Sequence, residues 1–188
     1  MSTTIGRVVV GVDGSPGSLQ ALRFAVREAR SAEAVLVPVI AWLPPGGDIS
    51  NRSYPLALAR ELRTEAEHDL LTAFDEALGG VPVDLRVEAQ VVRGRASRVL
   101  VAVADRADDV LITGRGHGIV RRLLYGSVAR YCLSHARCPV VAVPPPTIAR
   151  GMWRTRWGLR LRGVPSELVE DQRADHGRSD AGHDTFAP

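Results

Sequence analysis

The sequence predicts a doubly wound α/β domain, a five-stranded parallel sheet with helices on both faces, followed by a C-terminal tail that reads as disordered. Three observations carry that expectation. Short valine-rich apolar runs, too brief for helices, recur between residues 7 and 144. Amphipathic segments of helical period separate them. Such alternation of buried strands with helices implies parallel pairing through right-handed crossovers.

The elements follow in order. RVVVGVD (7–13) is a strand covered on both faces, and Asp13-Gly14-Ser15-Pro16 supplies a turn, an N-cap at Ser15 and a proline at the first helical position. Leu19, Leu22, Val26 and Ala29 then form one apolar stripe of a helix. AVLVPVIAW (34–42) is a second buried strand, interrupted by Pro38. Leu43 to Ser53 is rich in Pro, Gly, Asn and Asp and reads as a loop. From Tyr54 to Leu78 the spacing of Leu58, Leu62, Ala66, Leu70 and Phe74 predicts a long helix, ended by Gly79-Gly80. VDLRVEAQVV (83–92) alternates strictly, which predicts a strand with one wet face at a sheet edge. A helix from Arg95 to Arg106, a strand at 109–113, a helix from Ser127 to Ala136 and a last strand at 139–143 complete the pattern.

Composition removes several function classes. The chain has 188 residues, enough for one domain, placed at 1–146, and a tail at 147–188. Its formal charge is +3, yet every one of its 24 basic residues is arginine. Without lysine there is no Walker lysine and no Schiff base, so P-loop and lysine-based enzymes are excluded. Cys132 and Cys138 are too few for a disulfide framework or a four-ligand metal site and read as small core residues. The start, Met1-Ser2-Thr3-Thr4, lacks the basic and apolar regions of a signal peptide, and no apolar run has the length of a membrane span, so the expected compartment is the cytoplasm.

The stretch TGRGHGIVRRLLYGS (113–127) carries the functional signal. It joins a strand to a helix and leaves Gly114, Gly116, Gly118 and Gly126 without side chains. Unpaired amides at a helix N-terminus carry partial positive charge, and glycines let an oxyanion approach the main chain. Ser127 adds a cap and a hydroxyl. In a doubly wound fold ligands sit beyond the carboxyl ends of the strands, where the strand order reverses, and Asp13 and this loop both follow strands. Phosphate would repel Asp13, so a sugar hydroxyl or a metal ion is its partner. Gly11, Val39 and Ile112, at strand ends, are candidates for a base-binding cleft. The plainer alternatives stand beside these: Asp13-Gly14 forms a good turn by itself, and Gly126 is suited to a turn before a helix. Arg115, Arg121 and Arg122 flank the glycines, as solvated surface or as a screen for polyphosphate. His117, in the same loop, has no evident nucleophile or carboxylate beside it, so no catalytic residue is assigned.

VVVGVDGSPGSLQALRFAVREA together with GRGHGIVRRLLYGSVARYCLSHARCPVVAV resembles the universal stress protein family, from about Arg7 to Pro144. The family's nucleotide-binding type carries Gly, two residues, Gly, nine residues, Gly, then Ser or Thr; here Gly116, Gly126 and Ser127 fill the later positions, and Thr113 stands at the first. The resemblance implies an adenine nucleotide alpha hydrolase-like fold that binds ATP. Asp13 and the Val39 region would face adenosine, and Gly116, Gly126, Ser127 and Val128 would face phosphate; the base-cleft candidates Gly11 and Ile112, with Thr113 and Gly114, complete the candidate binding residues. An accompanying Mg ion is left open, and no metal ligand is assigned. It also implies homodimers joined through the last strand, 139–143. A regulatory ATP-binding protein of the stress response is the leading expectation; a non-nucleotide dimeric interaction module of the same fold and a slow ATPase are its alternatives.

Beyond Pro144-Pro145-Pro146 the periodicity stops. RGMWRTRWGLRLRG (150–163) sets Trp153, Trp157, Leu159 and Leu161 against Arg154, Arg156, Arg160 and Arg162 in a period of two. The expectation is an extension without a role, or a segment that docks to an anionic membrane, a nucleic acid or another protein.

Overall fold

Local sequence signals set the ends of the first helix. In the computed structural model, which describes residues 5–44, 56–114 and 127–146, Ser15 is extended (φ −69°, ψ 155°) and its hydroxyl accepts the Ser18 amide at 3.2 Å. Pro16 opens the helix. All described residues belong to the first of two units into which the chain divides, Met1–Gly151; those of the second, Met152–Pro188, lie outside the description, as does the expected tail 147–188.

The element order is β1 (Arg7–Gly11), α1 (Pro16–Ala32), β2 (Val35–Trp42), α2 (Leu56–Leu78), β3 (Gln90–Arg93), α3 (Ala96–Val103), β4 (Asp109–Gly114), α4 (Ser127–His135) and β5 (Val140–Val143). Among the described residues five strands form one parallel sheet in the order β3-β2-β1-β4-β5. The fold class predicted from sequence is therefore the one observed.

Strand alternation divides the core in two. Val8, Val10, Val12, Leu36, Ile112 and Val143 face α1 and α2, whose Leu19, Leu22, Leu70 and Phe74 they meet. Val9, Val37, Val39 and Leu111 face α3 and α4, against Leu100 and Cys132. The central strands are thus buried on both faces, as their continuous apolar runs require. The end of α2 is tied to α1: Arg23 donates from Nε to the Ala77 carbonyl at 2.8 Å and from Nη2 to that of Glu76 at 3.0 Å, satisfying acceptors the helix leaves free. Gly79, at φ +76°, closes the same helix.

One difference from the expected elements has its cause on a neighbouring strand. The strand expected at 83–92 is shorter: β3 covers Gln90–Arg93, preceded by an isolated bridge between Leu36 and Val87. Leu36 donates to Arg86 and accepts from Glu88, so the even residues of β2 direct their main-chain groups toward this neighbour. The next donor on that side would be the nitrogen of Pro38, which has no hydrogen, and the ladder lapses until Gln90. Residues 83–85 have no strand beside them, because β2 begins only at Val35, and Val83 is fully exposed. The helix expected at 95–106 spans only Ala96–Val103, and the first strand ends at Gly11, where the turn before Ser15 begins. Tyr54 and Pro55 lie outside the described residues.

Candidate functional site

The strand order places the switch point between β1 and β4. From β1 the chain crosses to β2 on one side, and from β4 it crosses to β5 on the other, so the carboxyl ends of β1 and β4 lie side by side under diverging connections. Val10 is paired with Ile112, which brings Gly11 level with Thr113 one step further on.

The β1 side is a tied turn. Asp13 is exposed, and its Oδ1 accepts the Ser15 amide at 3.0 Å; its own amide donates to Ser18 Oγ at 3.3 Å, and Ser18 Oγ donates to the Ser15 carbonyl at 3.0 Å. Gly14 sits at φ +70°, a conformation that favours glycine. The turn-forming reading of Asp13-Gly14 is thus realised, and it holds the carboxylate at the rim with Oδ2 outside these bonds. Ser18 was not singled out in the sequence; its signal was the Ser-x-x-Ser spacing around the helix start.

The β4 side explains part of the bare backbone. A Cβ on Gly114 would fall on the Gly17 carbonyl group and lie 2.5 Å from the Ser18 nitrogen, so Gly114 lets β4 close against the first turn of α1. A Cβ on Gly11 would lie 2.8 Å from Leu100 Cδ1. Both glycines therefore have a packing reason independent of any ligand. Thr113 points the other way, toward α3 and α4 with Leu111; it is 2% exposed, and among the described residues its buried Oγ1 has no hydrogen-bond partner.

The remaining candidates separate by face. Val39 (1% exposed) belongs to the core on the α3 side and Ile112 (0%) to the core on the α1 side, so their side chains lie on opposite faces of the sheet. Val128, in the first turn of α4, is half-buried against the α3-side core. Ser127 begins α4, placing that helix's unpaired amides at the same end of the sheet. Gly116, Gly118 and Gly126, with Arg115, His117, Arg121 and Arg122, lie outside the described residues.

The electrostatics of the rim include a feature that sequence reading passed over. Arg93, Arg95 and Arg98 are exposed around the β3–α3 turn and form no ion pair among the described residues. Their signal was three arginines within six positions, RGRASR. Burial pushes the Cys132 thiol up to about 11, so it is protonated at neutral pH and is a core residue, as Cys138 is. Among the described residues no group of three or more His, Cys, Asp or Glu is placed to hold a metal ion, and no helix is long and apolar enough to cross a membrane.

Comparison with known proteins agrees with this fold. A family model described as the universal stress protein family matches residues 4–144. A universal stress protein of Mycobacterium tuberculosis is 28% identical over 160 residues, covering 76% of this chain and 49% of that protein. The chain spans about half the length of such mycobacterial relatives. One from Thermus aquaticus is 30% identical over 138 residues, covering 72% of this chain and 96% of the relative. Among solved structures, a universal stress protein in complex with cAMP is 27% identical, with a TM-score of 0.50 over 76% of this chain and 99% of that one.

Proposed function

Because this chain belongs to the universal stress protein family, we propose that it is a regulatory protein of the cytoplasmic stress response that binds an adenine nucleotide, with ATP as its ligand. The observation that carries the reading is the switch point itself: the Asp13 carboxylate on one strand end, Thr113 on the adjoining one, and the start of α4 at the same sheet end. The solved universal stress protein in complex with cAMP supports an adenine nucleotide as the class of ligand. The residues fit such a ligand by their chemistry. Asp13 accepts from sugar hydroxyls, main-chain amides at the start of α4 donate to phosphate, and Val39, within β2, is the register partner of Gly11 at the end of β1. The helix dipole contributes about 0.3–2 kcal/mol, whereas micromolar binding needs about 8, so most of the affinity falls to base and sugar contacts.

Calorimetry with ATP, ADP, AMP and cAMP tests the reading. The wild type binds at least one of them, and Gly126→Glu, which sets a carboxylate where the family motif receives phosphate, binds at least about tenfold more weakly, a loss of about 1.4 kcal/mol. If none of the four gives heat, the reading fails. Phosphate release followed over hours separates a binding protein from a slow ATPase.

A second reading, a dimeric interaction module that binds no nucleotide, is favoured by one set of facts: Gly11 and Gly114 are bare for packing, and Thr113 fills the first motif position. Both readings include dimerisation through β5. It is an edge strand with half-buried Val140, Val141 and Ala142, and a second copy would cover its unpaired main chain. Sedimentation equilibrium is expected to give twice the chain mass; a monomer at micromolar concentration rejects the dimer.

A further inference from the structure

Thr113 presents a problem that the fold does not solve. Its Oγ1 has no solvent access and no hydrogen-bond partner among the described residues, although the large majority of buried side-chain polar atoms in native proteins are paired. Among the described residues its neighbours in the sheet offer no polar side chain: Ala142 lies opposite on β5, Gly11 follows the last β1 pair, and Leu111 precedes it on the same face. Valine has the same shape, and the sheet uses it at Val9, Val37 and Val39 on that face. A hydroxyl here is therefore a cost to the free protein, at the one point of the sheet where ligands of such folds are received.

We propose that the Thr113 hydroxyl contacts the ligand, forming a hydrogen bond with an oxygen of the ribose–phosphate portion of a bound adenine nucleotide. The inference rests on the nucleotide reading above and deepens it: the residue that replaces the motif's first glycine recognises the ligand instead of filling its space. An entering oxygen must take the place of the atoms that now cover Oγ1, and it meets the demand that the protein leaves open. A hydroxyl both donates and accepts, so it serves either a sugar hydroxyl or a phosphate oxygen.

The test uses Thr113→Val and Thr113→Ser in the full chain, with thermal unfolding without ligand and calorimetry with adenosine and AMP. Thr113→Val is expected to melt at or above the wild-type temperature, because it removes an unpaired polar atom, and to bind AMP about tenfold more weakly. Thr113→Ser is expected to stay within about threefold of wild type. Loss toward adenosine as well as AMP places the contact on the sugar, and loss toward AMP alone places it on phosphate; either supports the proposal. Equal affinity of Thr113→Val and wild type overturns the contact while leaving the nucleotide reading intact. A fall in melting temperature of several degrees in Thr113→Val overturns it too, since the hydroxyl would then have a partner within the protein. Where the wild type binds neither compound, the same variants are compared with ATP, and a wild type that binds none of ATP, ADP, AMP and cAMP overturns both.

Discussion

Replacing Asp109 with alanine is expected to lower the stability of the domain by about 3–5 kcal/mol, a large share of the roughly 5–15 kcal/mol that holds such a domain together. Its side chain is fully buried and that of Arg7 is 10% exposed. Arg7 donates to it twice, from Nε at 2.7 Å and from Nη2 at 2.6 Å, and also from Nη2 to the Val103 carbonyl at 2.9 Å. The Arg106 amide donates to the same carboxylate at 3.0 Å. Alanine would leave a guanidinium buried with only a carbonyl and, 3.8 Å away, the exposed Asp105. Urea unfolding measures the loss, and a change under about 1 kcal/mol would refute the assignment. Removing both charges, as Arg7→Met with Asp109→Leu, is expected to cost much less, because the penalty comes from the orphaned charge more than from the missing attraction. Arg7 and Asp109 are also register partners at the first rung of β1 and β4. A slip of one residue would carry Thr113 to the α1 face, so this clasp at one end of the strands keeps the switch point at the other end in order.

That clasp shows what a sequence hides. Arg7 and Asp109 each stand at the head of an apolar run, but they are 102 positions apart and nothing local says that their strands adjoin. Alternation of strand and helix predicts a parallel sheet without specifying the order β3-β2-β1-β4-β5. Signals that act within one turn of chain were legible: the Ser15 cap, Pro16 at the helix start, and the glycines that end α2. The shortened third strand was not, because its cause lies on another strand, at Pro38, and its own alternation is that of a longer one. At the candidate site the sequence placed Asp13 just beyond the first strand and Thr113 at the close of the fourth, which is where the structure has them. It did not show that Val39 and Ile112 face opposite sides, since that follows only from the register of two strands with β1. Nor did it distinguish a glycine kept bare for a ligand from one kept bare for a helix.

Gly114→Ala separates those two uses. Its added Cβ meets the main chain of Gly17 and Ser18, which cannot swing aside as a side chain does. Either β4 or the first turn of α1 must move, and overpacking of this kind costs about 1–3 kcal/mol or more. At Gly11 the obstacle is Leu100 Cδ1, the far end of a flexible side chain, so Gly11→Ala is expected to cost less than Gly114→Ala in urea unfolding without ligand. The turn that carries Asp13 is bonded to Ser15 and Ser18, the start of the same helix. Displacing that helix displaces the carboxylate, so Gly114→Ala is also expected to weaken nucleotide binding, although Gly114 itself need offer the ligand nothing. A glycine reserved solely for a ligand behaves differently: its alanine variant keeps full stability when free and loses only affinity. Unchanged unfolding of ligand-free Gly114→Ala would therefore reverse the assignment and return this position to the binding loop.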